Sequence, residues 1–158
     1  MSPGSSRTRN VFEPIDGSEV TALWLERFGI PDSAFNGYRF YRKAQSVWAV
    51  SDVDLPALSY EALGMRMMDL KGRVWKPTTC ALQIFGRLAT KNVVHLNEDQ
   101  AEAFLAGGTR LIESATEPGY AVVFYRGEVL GCGLYSRGRL VSQVPKELRS
   151  GCTNGDET

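Results

Sequence analysis

The sequence has few residues of the kinds that bind metals or act as acid–base catalysts. Its 158 residues include one histidine, His95, and three widely spaced cysteines without a C-x-x-C pair, namely Cys80, Cys132 and Cys152. A single histidine excludes most histidine-based metal and acid–base sites. The cysteine spacing argues against a structural zinc site and against a disulfide framework. We therefore expect no metal and no cofactor, and we interpret His95, which has apolar neighbours in a predicted strand, as structural.

Long apolar runs and nucleotide-binding loops are also absent from the sequence. No window approaches the roughly 18 apolar residues of a membrane span. The amino terminus, MSPGSSRTRN, lacks the hydrophobic run of a secretory signal, so we expect a cytoplasmic protein without a membrane partner. Gly131 and Gly133 do not begin a dinucleotide-binding G-x-G-x-x-G loop, because a predicted hairpin follows them where that loop needs a helix. No cysteine lies beside a sequence signature for a general base, so nothing in the sequence requires an enzyme.

Charge is balanced in total but unevenly distributed along the chain. Eighteen Lys and Arg residues match eighteen Asp and Glu residues, so a claim of nucleic-acid binding depends on where the charges lie. No carboxylate occurs between Asp69 and Glu98, and residues 126–149 contain only two. The basic residues of these two stretches are Lys71, Arg73, Lys76, Arg87, Lys91, Arg126, Arg137, Arg139, Lys146 and Arg149. Acidic residues cluster in residues 98–117 instead, so a neutral chain can present a basic face.

Residue periodicity predicts mixed helices and strands in the first two thirds of the chain. Residues 1–10 and 150–158 have the composition of polar tails. The predicted elements are a helix over 18–29 capped by Ser18 and closed by Gly29, strands near 40–41, 47–50, 64–70 and 73–75, a helix from about Pro77, a strand over 92–96 and a helix over 97–108. Asn97 and Gln100 form a capping box at the start of that last helix.

From Gly119 onward the apolar period changes to two. This change predicts three strands joined by tight turns at Arg126-Gly127 and at Ser136-Arg137-Gly138. A strand meander that follows helices indicates an α+β domain built on a curled or barrel-like sheet. The boundary between this carboxy-terminal domain and an amino-terminal piece is expected near residues 71–77.

The segment VWKPTTCALQIFGRLATKN has two faces when it is projected as one continuous helix. The apolar stripe contains Ala81, Leu82, Phe85, Leu88 and Ala89, with Ile84 at its edge. The opposite stripe contains Thr79, Gln83, Gly86, Arg87, Thr90 and Lys91. Glycine in a helix interior costs about 1 kcal/mol relative to alanine, so Gly86 suggests close approach of a phosphate or ribose. The alternative is that Gly86 marks an early helix end and the basic stripe is a solvated face.

Two further features have a structural and a functional interpretation. Gly131 and Gly133 suit a strand that bends at a barrel corner, or a sheet against which an RNA backbone lies. Large aromatics such as Trp24, Trp48 and Trp75 are most often core residues, but they can also stack on bases. The sequence leaves these alternatives open.

The segments KPTTCALQIFGRLATKNVVHL and GYAVVFYRGEVLGCGLYSRGRLVSQVPKELR resemble the PUA domain and its PUA-like relatives. They are most similar to the carboxy-terminal region of Sun-family RNA cytosine-5 methyltransferases and to small archaeal proteins that carry this region alone. The resemblance covers roughly residues 71–149, and residues 11–70 resemble, more loosely, the pre-PUA segment that often precedes the domain. It implies a compact pseudo-barrel of mostly antiparallel strands with flanking helices that binds structured RNA. The methyltransferases commonly have lysine where this chain has Leu134, and the chain has no methyltransferase domain.

We therefore predict a non-enzymatic RNA-binding module with a pre-PUA-like segment over residues 11–72 and a PUA-like domain over 73–149. Its expected partners are structured rRNA or tRNA, in ribosome biogenesis or RNA modification, and an RNA methyltransferase or other modification enzyme. The predicted RNA contacts are Lys76, Thr79, Gln83, Gly86, Arg87, Lys91, Arg126, Gly131, Gly133, Arg137, Arg139, Lys146 and Arg149. The alternatives are a protein-interaction subunit of such a complex without direct RNA contact, and a small enzyme that acts on RNA through Cys80 or Cys132.

Overall fold

Two five-stranded sheets and three helices make up the part of the chain that the computed structural model describes, residues 12–51 and 64–145. The helices are α1 (Gly17–Phe28), α2 (Thr79–Phe85) and α3 (Glu98–Leu105), and short 3-10 turns cover Asp32–Phe35 and Gly86–Leu88. The strands are β1 (Glu13–Pro14), β2 (Tyr38–Lys43), β3 (Ser46–Ser51), β4 (Met65–Asp69), β5 (Lys76–Pro77), β6 (Val93–Leu96), β7 (Thr109–Leu111), β8 (Gly119–Tyr125), β9 (Glu128–Ser136) and β10 (Arg139–Ser142). In these two segments, no helix has the length and apolar character needed to cross a membrane.

The amino-terminal sheet is an antiparallel meander in the order β1-β2-β3-β4-β5. Helix α1 is confirmed, but its N-cap is Asp16 rather than Ser18, because the Asp16 carboxylate accepts the Ser18 N–H at 2.9 Å. The predicted strands at 40–41, 47–50 and 64–70 are confirmed as β2, β3 and β4. The predicted strand at 73–75 is wrong. Asp69 Oδ1 accepts the Lys71 N–H at 2.8 Å and the chain bends there, so pairing resumes only at β5.

The carboxy-terminal sheet has the order β6-β8-β9-β10-β7, and its β8-β9-β10 meander confirms the predicted hairpins. Both turns have positive φ at two residues, 53° and 80° at Arg126-Gly127 and 54° and 78° at Arg137-Gly138. These values are those of type I′ turns, which match the twist of the flanking strands. The periodicity did not reveal that β6 pairs in parallel with β8. That pairing requires the long crossover containing α3, a non-local arrangement.

One hydrophobic cluster joins the two sheets. Trp24 and Phe28 from α1, Phe85 from α2, and Val122 and Cys132 from the carboxy-terminal sheet all belong to it. A second cluster forms on the opposite side of the carboxy-terminal sheet, where Phe104 of α3 packs. Helices packed on a curled, mostly antiparallel sheet are an α+β architecture, as predicted.

The segment after β5 differs from the predicted continuous helix. Helix α2 is capped by Thr78, ends at Phe85, and continues only as a 3-10 turn from Gly86. Leu88, predicted on the apolar stripe, is therefore 52% exposed. Gly86 marks the early helix end that was one of the two interpretations.

Cys80 is completely buried and disulfide-bonded. The cysteine spacing argued against a disulfide framework, so the bond at Cys80 was not expected from the sequence. Cys132, also buried, is a free thiol.

Candidate nucleic-acid interface

Exposed arginines lie at both ends of strand β9. Arg126 lies in the turn before this strand, and Arg137 and Arg139 lie after it. At about 3.3 Å per residue, the nine residues of β9 extend over roughly 26 Å. The predicted basic residues therefore do not converge on one point, and most of those that the structure describes fall into two groups.

The first group, which we term the Lys76 surface, contains Lys71, Arg73, Lys76, Arg137 and Arg139. The ammonium Nζ of Lys76 donates to Gln143 Oε1 at 3.0 Å and lies 5.8 Å from the ring centroid of Tyr120. Arg139 pairs with Ser136, which lies two residues beyond Leu134 on β9 and so on the same face. Leu134 lines a cavity together with Val74 and Trp75. The β4–β5 loop, which contains Val74 and Trp75, therefore lies beside this part of the sheet.

Lys146 and Arg149, also predicted as RNA contacts, lie outside the described residues. Pro145, the last described residue, lines a small polar cleft together with Lys76, Thr78 and Gln143. The described chain thus ends beside the Lys76 surface.

The second group, the Arg87 surface, contains Gln83, Arg87 and Arg126. Gln83 and Arg87 line an open cleft with Gly127 and Glu128 of the β8–β9 turn. The Gln83 side chain donates from Nε2 to the Leu130 carbonyl at 3.1 Å, so it holds α2 against β9. Arg87 and Arg126 are exposed, and the Arg126 guanidinium lies 5.4 Å from the Tyr125 ring centroid.

Lys91 belongs to neither surface. It is exposed and lies against the end of α1, where its backbone N–H donates to the Phe28 carbonyl at 3.1 Å. The neighbouring Asn92 side chain donates to the Arg27 carbonyl at 2.6 Å and accepts the Glu117 N–H at 2.9 Å. This segment therefore connects α1 to the carboxy-terminal sheet.

Two residues predicted on the open face of the helix lie in the core instead. Thr79 is 3% exposed, and its hydroxyl accepts the Cys132 N–H at 3.2 Å. Gly86 is buried, and a Cβ placed on it would lie 3.1 Å from Val122 Cγ1. The close approach that glycine permits there is that of strand β8 of the carboxy-terminal sheet, not of a ligand.

Gly131 and Gly133, also predicted as RNA contacts, are likewise packed against core side chains. A Cβ on Gly131 would lie 2.8 Å from Val144 Cγ2 and 2.9 Å from the Thr79 side chain. A Cβ on Gly133 would lie 2.7 Å from Leu140 Cδ1. Both glycines are buried, so the structural interpretation of these positions accounts for them.

The free thiol in the described residues is not poised for nucleophilic attack. Burial raises the pKa of Cys132 to about 12, while the positive charges of Lys76 and Arg27 act in the opposite direction. A thiol with that pKa is protonated at neutral pH, and the thiolate is the reactive form. Cys80 is buried and already bonded.

Sequence reasoning missed Arg27, which secures the start of β8. Its Nε and Nη2 donate to the Tyr120 carbonyl at 3.0 and 2.8 Å, and Nη2 also donates to the Glu117 carbonyl at 3.1 Å. Burial lowers the pKa of Arg27, and the nearby Glu117 carboxylate opposes that shift. The helical pattern of α1 placed Arg27 near an apolar stripe but gave no indication of what the stripe would face.

Comparison with known proteins identifies the carboxy-terminal part of the chain. No curated protein matches it significantly. Residues 91–150 match the model of the Methyltransferase RsmF PUA domain, which is somewhat more than a third of the sequence. The matched stretch contains strands β6–β10 and helix α3. PUA domains are non-catalytic modules associated with RNA binding in RNA methyltransferases, as the sequence resemblance implied. This part of the chain is therefore similar to the PUA domain of the RsmF methyltransferases.

Proposed function

We propose that this protein is a non-catalytic RNA-binding protein that recognises structured RNA through the Lys76 surface. The observation that carries the proposal is the PUA match over residues 91–150. The exposed arginines of the β9–β10 turn belong to this domain, and Lys71 and Arg73 are exposed on the adjoining loop. Arginine suits this role because its planar guanidinium can hold two phosphate oxygens at once.

The Arg87 surface is a secondary contact in this proposal. An RNA long enough to reach both ends of β9 would meet Arg87 and Arg126 as well as the Lys76 surface. Structured rRNA or tRNA has that extent, and a role in RNA modification or ribosome biogenesis accords with the methyltransferase context of the domain. Residues 11–72 would act as a pre-PUA-like segment that supports the Lys76 surface through its β4–β5 loop.

Anisotropy titrations across a salt series test this function. We expect tRNA or a structured rRNA fragment to bind more tightly than duplex DNA, with log affinity falling as log salt rises, by about 0.7–0.9 for each phosphate contacted. Arg73→Glu and Arg139→Glu should each lower the slope by about 1. Arg42→Glu, an equivalent charge reversal at an exposed residue of strand β2, is the matched control and should leave the slope unchanged.

The competing function is that of a protein-interaction subunit without RNA contact. Failure of every RNA to bind at low salt, with the protein still folded, would favour it over the proposal. Equal losses for Arg42→Glu and Arg139→Glu would instead show a general charge effect without a defined surface.

A further inference from the structure

A cavity of about 240 Å³ lies where the amino-terminal part of the chain meets the PUA sheet. Val74 and Trp75 from the β4–β5 loop line one side, and Tyr120 and Leu134 from strands β8 and β9 line another. Arg27 of α1 also borders it. The volume is smaller than the roughly 300–1,000 Å³ of pockets that hold drug-sized ligands, so it suits a single planar ring system.

The cavity walls offer partly exposed aromatic rings. Trp75 packs on Trp24 at a centroid distance of 5.3 Å and edge-on against Phe28 at 5.9 Å, yet it remains partly exposed. Tyr120, directly opposite Leu134 in the strand register, is also partly exposed. Burial of these ring faces by a ligand would remove apolar surface from water and add stacking.

The Arg27 guanidinium at the cavity has hydrogen-bond donors that are only weakly engaged. Arg27 uses Nε and Nη2 to hold the Tyr120 carbonyl, whereas its Nη1 has only a 3.6 Å ion pair with Glu117, whose side chain is 76% exposed. A long ion pair to a solvated carboxylate contributes little. The Nη1 donors are therefore available to an acceptor on a bound ring at small cost, in the direction that the planar guanidinium fixes.

Positive charge borders the cavity on both sides along the chain. The segment Lys71-Gly72-Arg73-Val74-Trp75-Lys76 places Arg73 and Lys76 directly before and after the two cavity residues, and contains no carboxylate. The Lys76 ammonium lies over one face of the Tyr120 ring, which leaves the other face for a base. Aromatic side chains between basic residues are the combination that binds single-stranded nucleic acid, because bases stack while the phosphates are neutralised.

We propose that this cavity receives one unpaired base of a bound RNA, which stacks against the rings of Trp75 and Tyr120 while the Lys76 surface holds the flanking phosphates. The inference rests on the proposed function. It adds that the protein distinguishes RNA with an accessible unpaired base from a fully paired duplex, through a site built jointly by the amino-terminal part and the PUA domain.

Two versions of one RNA hairpin with a short single-stranded tail test the inference. One tail contains 2-aminopurine, and the other has abasic sites at the same positions. We expect the tail with bases to bind about 5- to 150-fold more tightly, the factor that corresponds to stacking one base. The 2-aminopurine fluorescence should be quenched on binding.

Variants locate the effect in the cavity. Tyr120→Leu keeps apolar bulk but removes the ring, and Val74→Glu places a carboxylate at the cavity rim on a residue that is 62% exposed. Each should abolish the preference for the tail with bases. Leu111→Glu, at a residue that is 73% exposed and does not line the cavity, makes the same charge change and should retain it. If Tyr120→Leu fails to fold, Val74→Glu alone tests the cavity, because the exposed Val74 side chain packs little against the core.

The outcomes separate this inference from the function on which it rests. Salt-dependent RNA binding with equal affinity for both tails would overturn the cavity and leave the phosphate surface intact. A base preference that Val74→Glu and Leu111→Glu reduce equally would also overturn it. Absence of binding to either hairpin or to tRNA at low salt would overturn the inference together with the proposed function.

Discussion

Single glycines of the PUA sheet are close-packing positions. Gly131 has φ of 154° and faces both Val144 and Thr79, while Gly133 faces Leu140 and Val123. Gly131 follows the bulge at which the β8–β9 register shifts, and the Thr79 hydroxyl binds the next backbone N–H, that of Cys132. A side chain at either glycine would displace core atoms from both sides of the contact.

Gly131→Ala should therefore lower the free energy of unfolding by about 1–3 kcal/mol, the range for overpacking a core. Urea denaturation measures the change. Gly72→Ala is the control, because its φ is not positive and a Cβ there would come no closer than 3.6 Å to another atom; its effect should stay within about 0.5 kcal/mol. A Gly131→Ala protein of normal stability with impaired RNA affinity would restore the RNA-contact role to this position.

The buried thiol of Cys132 makes stability depend on alkaline pH. An unfolded cysteine ionises near pH 8.5, whereas burial raises the pKa of Cys132 in the folded protein to about 12. Between these values the unfolded state binds fewer protons, so stability falls as pH rises, by up to about 1.4 kcal/mol per pH unit from this group. Below pH 8.5 the contribution is constant.

Urea denaturation of the wild type and of Cys132→Ala from pH 7.5 to 10.5 tests that slope. The wild type should lose its stability advantage over the variant progressively above pH 8.5. Burial also raises the pKa of Tyr120, which gives a slope of the same sign, and because burial, the largest cause of that shift, is common to both proteins, most of this slope cancels in the difference. Parallel curves over the whole range would show that Cys132 is not the responsible group.

At the scale of elements, local signals determined which parts of the fold the sequence could predict. The capping box of Asn97 and Gln100 is formed as predicted, and so are both tight turns, because each depends on residues that are neighbours in the chain. Strands β1 and β7 and the parallel pairing of β6 depend on partners far away in sequence. Their short segments carry no periodicity to detect.

At the candidate site, too, the sequence predicted features that depend on neighbouring residues and missed those that depend on distant ones. Exposure of Arg137 and Arg139 follows from their place in and after a tight turn. Burial of Thr79 and Gly86 does not follow from a helical projection, because the projection assumed a helix through Lys91 and could not locate strand β9 behind its first turn. The cavity between Trp75 and Tyr120 depends on residues 45 positions apart, so no local pattern indicates it.

The Thr78 hydroxyl connects helix α2 to the amino-terminal sheet. Substitutions of Thr78 test how much this connection contributes to the free energy of unfolding. Its hydroxyl accepts the Ala81 N–H at 3.1 Å and donates to the Arg66 carbonyl at 2.8 Å. Thr78→Ala should cost about 1–2 kcal/mol, as for lost helix caps, while Thr78→Ser keeps the hydroxyl and should cost less than half as much. Chemical denaturation distinguishes them, and equal losses for both variants would show that the methyl group, not the hydroxyl, matters.

At the scale of the whole molecule, the carboxy-terminal sheet shares one of its hydrophobic clusters with the amino-terminal part. The Phe28 carbonyl accepts the N–H groups of Thr90 and Lys91 at 2.8 and 3.1 Å, and the next residue, Asn92, accepts the Val122 N–H at 3.0 Å. Phe28 and Val122 also share one hydrophobic cluster. The end of α1 is thus connected to strand β8 by packing and by consecutive backbone contacts.

We therefore expect the two parts to unfold together. Trp24 and Trp48 lie in the amino-terminal part and Trp75 packs on Trp24, so tryptophan fluorescence reports mainly on that part, while hydrogen exchange of the β8 amides reports on the carboxy-terminal sheet. Phe28→Leu, at a completely buried residue of α1, should lower the unfolding free energy from both probes equally, by about 1–2 kcal/mol. Leu25→Ala, on the same helix but 51% exposed, is the control and should change both far less. Unchanged β8 protection in Phe28→Leu would mean that residues 73–149 fold independently, and a base-binding cavity between the two parts would then lack a fixed wall.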